Sequence, residues 1–127
     1  MKCRIEFDDR RILIAVRSGN NIALRRAGAY IRKAARNKVS ASDKASAPGT
    51  PPHTRAGLLK NSILFGVEKK RQSVVIGPAE SMIGTAMTAH EYGGRYRKRR
   101  YPKRPLMGPT LEKTASRLPS LWEKAVK

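Results

Sequence analysis

Asn21-Ile22-Ala23-Leu24-Arg25-Arg26-Ala27-Gly28-Ala29-Tyr30-Ile31-Arg32-Lys33-Ala34-Ala35-Arg36-Asn37 is the stretch that decides the fold. Leu24, Ala27, Ile31, Ala34 and Ala35 recur at i, i+3, i+7, i+10 and i+11, which is one apolar stripe of an α-helix. Alanines let such a helix lie close on a sheet, and Arg25, Arg26, Arg32, Lys33 and Arg36 then turn outward. The sheet follows downstream. Ile63 to Glu68 and Ser73 to Gly77 alternate or run apolar around a polar Lys69-Lys70-Arg71-Gln72 tip, a β-hairpin pattern. Pro78 ends the second strand because it has no N–H for the ladder.

The flanks are weaker in pattern. Lys2 to Phe7 alternates charged residues with Cys3, Ile5 and Phe7, which suits a short half-buried strand or an ordered arm over residues 1–8. Asp8 is an N-cap for a short helix over Arg10 to Val16, which Ser18-Gly19-Asn20 breaks. Ser40 to Thr54 has the composition of a linker, long for a compact domain, with Pro51 and Pro52 favouring extended backbone. Arg55 to Lys60 reads as a turn of helix. Ser81 to Glu91 is ambiguous: its apolar residues allow a short helix and Gly84 weakens it. Tyr92-Gly93-Gly94 is a turn. Residues 94–105 form a basic loop, in which Arg95 to Arg104 has seven basic residues in ten. Pro109 opens a C-terminal helix at its first position, with Leu111, Ala115, Leu118 and Trp122 near one face and Pro119 kinking or restarting it. The expected fold is α+β: a small antiparallel sheet packed by one long helix, with a C-terminal helix and long extended loops.

At 127 residues the chain fits one domain, residues 1–127, and folding would bury a little under ~70 % of the unfolded surface. Only 39 % of residues are apolar and 6 % aromatic, so the core is modest. Lys and Arg total 28 against 9 acids, a net charge of +19, and such self-repulsion destabilises a compact monomer. Nucleic acid, an anionic membrane or an acidic protein ring would relieve it. Cys3 is the single cysteine, so an intrachain disulfide is excluded. No apolar run approaches the ~20 residues that span a bilayer, and no signal-peptide core opens the chain; a soluble protein without export or membrane insertion is expected.

Little in the chain supports catalysis. His53 and His90 are 37 positions apart, and neither has a second ligand-type residue at metal spacing. Glu91 beside His90 lacks a nucleophile or an acid partner. Gly93-Gly94 is no phosphate loop, because no Lys-Ser or Lys-Thr follows. A nuclease would need a carboxylate cluster, and the nine acids are scattered apart from Asp8-Asp9. No enzyme activity, metal or cofactor is expected. The sharpest electrostatic signal is the run containing Arg95, Arg97, Lys98, Arg99, Arg100, Lys103 and Arg104, interleaved with Tyr96 and Tyr101. Phosphate contact there would be independent of sequence and sensitive to salt. Arg25, Arg32 and Arg36 on the long helix are further candidates to face DNA or a partner. Pro48-Gly49-Thr50-Pro51-Pro52 reads equally as a stiff linker or a docking arm.

One ordered series remains. Pro48-Gly49-Thr50-Pro51-Pro52 is followed by Gly57-Leu58-Leu59-Lys60-Asn61-Ser62-Ile63, Val74-Val75-Ile76-Gly77-Pro78, Glu91-Tyr92-Gly93-Gly94 and Arg104-Pro105-Leu106-Met107-Gly108-Pro109. Singly, each is punctuation plus an apolar anchor. In this order, over roughly residues 8 to 126, they resemble the head–tail joining (tail-completion, neck) proteins of long-tailed bacteriophages. Leu106 stands where that family usually has Phe, and the basic insertion between Gly94 and Pro105 is unusually long. The resemblance implies a structural virion protein made in the host bacterial cytoplasm. Its subunits would form a ring, commonly a hexamer, between the portal-side connector and the tail tube, with double-stranded DNA passing through the lumen. In such an assembly, expected exposure places Pro48, Gly49, Pro51 and Pro52 in an inter-subunit loop. The alternative is a sequence-independent nucleic-acid-binding protein, which explains the charge but not the order of the motifs.

Overall fold

The computed structural model describes residues 9–54, 56–84 and 86–123. The expected arm over residues 1–8, the Asp8 cap and Cys3 lie outside the described residues. The chain is α+β. Helix α1 (Asp9–Lys38) leads through a loop to a short helix α2 (Leu58–Ser62) and strands β1 (Ile63–Glu68) and β2 (Ser73–Pro78). Helices α3 (Glu80–Ile83) and α4 (Ala86–Tyr92) precede strands β3 (Gly94–Tyr96) and β4 (Arg99–Tyr101), and α5 (Met107–Thr114) comes last.

α1 is one helix of 30 residues, so the expected break at Ser18-Gly19-Asn20 does not occur. The polar pair at that point serves tertiary contacts instead. The Asn20 amide donates to Gln72 Oε1 at 2.8 Å and its oxygen accepts from Trp122 Nε1 at 2.8 Å, while Asn21 Oδ1 accepts from Gln72 Nε2 at 3.3 Å. The tip of the first hairpin and the C-terminal segment are thereby fixed to the middle of α1.

β1 and β2 form the expected antiparallel hairpin, paired from Ile63↔Pro78 to Glu68↔Ser73 with Pro78 at the end. The second half of α1 lies across this hairpin and buries Ala23, Leu24, Ala27, Ile31 and Ala35. Gly28 sets the approach: a Cβ there would stand 2.5 Å from Phe65 Cδ2 and 3.0 Å from Val74 Cγ2. Not all the helix arginines are free of the sheet. Arg32 sits over the Phe65 ring at 4.8 Å, and Arg36 Nη2 donates to the Ile63 carbonyl at 2.9 Å.

The main core lies at the C-terminal end of α1, where Ala35, Val39, Ile63, Met87 and Leu106 meet, with Leu59, Ile76, Ile83 and Met107 around them. α5 starts at Met107, so Pro109 is its third residue rather than its first. Its buried side chains are Thr110 and Thr114, not the expected Leu111, which is 51 % exposed. Both hydroxyls are satisfied within the helix, Thr110 donating to Leu106 O and Thr114 to Thr110 O at 2.9 Å. The helix ends at Thr114; two short 3-10 turns follow, and Pro119 opens the second. Among the described residues no helix is long and apolar enough to cross a membrane.

Candidate functional site

The run expected as a basic loop over residues 94–105 is largely a second hairpin. Gly94 pairs with Tyr101, Arg95 with Arg100 and Tyr96 with Arg99. No period of two marks it: Tyr96 and Tyr101 are half-buried, yet Arg99, which pairs with Tyr96 and stands two residues from Tyr101 on the same face, is exposed like Arg95 and Arg100. The tyrosines turn toward the body. Tyr101 meets the His90 ring edge-on at 5.4 Å, and Tyr96 and Tyr101 lie 6.3 Å apart.

The cations stand exposed around the hairpin at a local cost. Arg95 stands directly across the ladder from Arg100, a like-charge pair that disfavours the sheet. The connecting turn is Arg97-Lys98, with φ of 49° and 66°. A two-residue turn with both φ values positive suits Asn-Gly, whereas a residue with a Cβ costs about 1–2 kcal/mol at each such position. Among the described residues, no ion pair neutralises the hairpin's cations. Arg97 instead lies over the Tyr96 ring at 5.4 Å.

Arg104 has the opposite role. It is only 9 % exposed, and its Nε donates to the Ser46 carbonyl at 2.9 Å. Its backbone N–H donates to His90 O at 2.6 Å, and Gly49 N–H donates to Lys103 O at 2.8 Å. The loop over residues 40–54 is therefore docked on its own chain rather than extended as an arm. Its ends close on each other through an Ala41↔Thr54 bridge and the Ser42 and Thr54 amides. Of the four loop residues expected between subunits, Pro48 and Gly49 are exposed at the tip, Pro51 is half-buried and Pro52 is buried. Arg25 is exposed on α1, Arg32 and Arg36 are half-buried with the internal contacts given above, and Lys103 is exposed.

Loop and hairpin enclose a cavity of about 260 Å³ lined by Ser46, His53, His90, Tyr101 and Arg104 among others. It gathers the chain's two histidines. His53 Nδ1–H donates to Lys44 O at 2.8 Å, while His90 Nδ1 and Ser46 Oγ are buried without a protein partner. Burial, and secondly the Arg104 charge, hold His90 below its ordinary pKa. Among the described residues no cluster of His, Cys, Asp or Glu could hold a metal ion.

Glu91 is the residue whose role sequence reasoning missed. Its carboxylate accepts from the N–H groups of Leu106 and Met107 at 2.7 and 3.1 Å and from that of Gly108 at 2.7 Å. These are the orphan donors at the start of α5, and a negative charge there also favours the helix dipole. Gly108 leaves room for the contact, since a Cβ would lie 3.2 Å from Glu91 Oε1. The Glu91-Tyr92-Gly93-Gly94 and Arg104-to-Pro109 segments are thus two halves of one joint. The other segments interlock likewise: Thr54 Oγ1 accepts from Leu59 and Lys60, and Ala79 N–H donates to Ser62 O. Tyr92, within the same series, is 77 % exposed.

No family model matches the chain, and no curated protein or solved structure matches it.

Proposed function

We propose that this chain is a structural subunit of a ring at the head–tail interface of a tailed bacteriophage, a neck or tail-completion protein through which double-stranded DNA passes. The observation that carries this reading is the second hairpin. It holds Arg95 opposite Arg100 and places Arg97 and Lys98 at a strained tip, and among the described residues no acid pairs with them. A cluster that is unfavourable in the free chain is stabilised once a polyanion supplies the counter-charge.

Two further features support the reading. The segments that resemble the neck family brace one another through hydrogen bonds, so they act on shape. Apolar surface remains uncovered on the outer side of the first hairpin, where Leu64 is 43 % and Val75 57 % exposed. That surface suits contact with a neighbouring subunit, and the partners are the portal-side connector and tail-tube proteins. The sequence-independent nucleic-acid binder stays as the second reading, because the same exposed cations suit phosphates; Tyr96 packs on Tyr101 and Tyr101 on His90. Rings so engaged leave phosphate contact, rather than base stacking, as the mode of binding.

The test is the joining of purified heads to tails in the presence of the protein. Changing Arg97, Arg99 and Arg100 to Glu should block joining while the subunit stays folded, since all three side chains are exposed. Normal joining with that variant would reduce the hairpin to a solvated surface.

A further inference from the structure

We infer that the first half of α1 is a docking site for an acidic, amphipathic helical segment of another protein. This goes beyond the ring reading and depends on neither DNA nor the basic hairpin.

The argument starts from the helix period. Ile12, Leu13 and Val16 lie on the same stripe as Ala23, Leu24, Ala27, Ile31 and Ala35, given 100° per residue. In the second half that stripe is buried against the first hairpin. In the first half it is not: Ile12 is 45 %, Leu13 52 % and Val16 47 % exposed. The hairpin tip is hydrogen-bonded to α1 at Asn20 and Asn21, through Gln72. Some 11 residues of helix, about 16 Å, extend beyond it. There Ile12, Leu13 and Val16 line an apolar groove of about 450 Å³, closed at its far end by Gln72 and Trp122.

Charge selects the occupant. Arg17 lines the groove, Arg10 is exposed one turn from Leu13, and Lys69 and Lys70 lie exposed on the turn that Gln72 ends. Apart from Asp9 at the start of α1, the acids in these elements are Glu68, already 3.7 Å from Arg71, and Glu123 beside Trp122. A second copy of this chain, at +19, would bring cations against cations. A helix with apolar side chains on one face and Asp or Glu on its flanks satisfies both the groove and its rim.

Trp122 is the chain's single tryptophan and lines the groove, so its emission reports occupancy. The experiment titrates the full-length protein, at physiological salt, with a helical Leu/Glu peptide and with a counterpart of equal charge in which Ser replaces Leu. The expected result is a saturable blue shift with the Leu/Glu peptide and none with the Ser/Glu peptide. Leu13→Asp should weaken binding about tenfold or more. Ile14→Asp, the same charge change on the helix flank outside the groove, should leave it within about twofold. Ile14 is 62 % exposed, and both substitutions are on exposed positions, so folding is preserved. An equal response to both peptides, or equal loss in both variants, would reduce the effect to net charge and overturn the proposal. So would a free-protein emission that is already blue and turns red on dilution, which assigns the groove to a second copy. A red shift on deleting residues 2–7, which assigns it to the chain's own N-terminal segment, would overturn it as well.

Discussion

Arg104 and the arginines at 95–100 are the same residue type a few positions apart, put to opposite uses. Arg104 is buried, bonded to Ser46 and set over the joint that Glu91 makes with the start of α5. Arg95, Arg97, Arg99 and Arg100 are exposed, Arg95 faces Arg100 across a three-residue ladder, and none has an acid partner among the described residues. The joint is satisfied and the hairpin is frustrated. A charge count of +19 therefore contains two quantities, cations that hold the fold and cations that the fold holds out.

The largest expected effect separates the two directly. Replacing Arg97, Arg99 and Arg100 with Glu reverses three exposed charges, and binding to duplex DNA of any sequence should fall on the order of 10³-fold at low salt. Thermal stability should hold or rise slightly, because Arg100→Glu turns the like-charge pair with Arg95 into an opposite-charge one. A parallel loss of stability would mean that the hairpin belongs to the brace. On the other side, Glu91→Ala strips three N–H groups of their acceptor and should cost about 2 kcal/mol, read as a lower denaturant midpoint. Its DNA affinity in the folded state should be unchanged.

A smaller and opposite change is expected at the strained turn. Asn-Gly in place of Arg97-Lys98 fits the positive φ values and should stabilise by about 1 kcal/mol. The same change removes two cations, so the salt dependence of DNA binding should flatten. Stability gained with binding lost would show that the strain is held for function; no gain would mean the turn is not strained.

The smallest effect is in pH. His90 is held below 6.5 by burial and then by Arg104, so the folded state takes up a proton less readily than the unfolded chain. Its contribution is fully present above about 6.5 and declines as pH falls through that value toward the lower folded pKa. Melting temperatures should drop on acidification in this window, and His90→Gln should drop less. An identical slope in the variant would place the acid sensitivity elsewhere.

The long helix and the first hairpin were legible because each writes its own period: the stripe through Leu24 and Ile31, and the alternation around Lys69–Gln72. The continuity of α1 was not, because Ser18-Gly19-Asn20 has the chemistry of a break until Gln72 and Trp122 occupy the asparagines. These lie 52 and 102 positions away in sequence. Charge hid the second hairpin, whose three-residue strands carry one half-buried tyrosine each and no alternation. Glu91 could be weighed only as a base, since its partners stand 15 to 17 residues downstream. The burial of Arg104 depends on a loop that composition marks as free linker. Local pattern thus identified the long helix and the first hairpin, and distant hydrogen bonds decided which polar residues are structural.

The central claim, a ring subunit, is tested most directly by the mass of the purified protein in solution, measured by light scattering at low and high salt. High salt screens the repulsion among basic subunits, and apolar contacts through surfaces such as Leu64 and Val75 then prevail. The account predicts one discrete multiple of the 14.1 kDa chain, favoured at high salt. A single 14.1 kDa species at every salt and protein concentration would contradict it and favour the monomeric nucleic-acid binder.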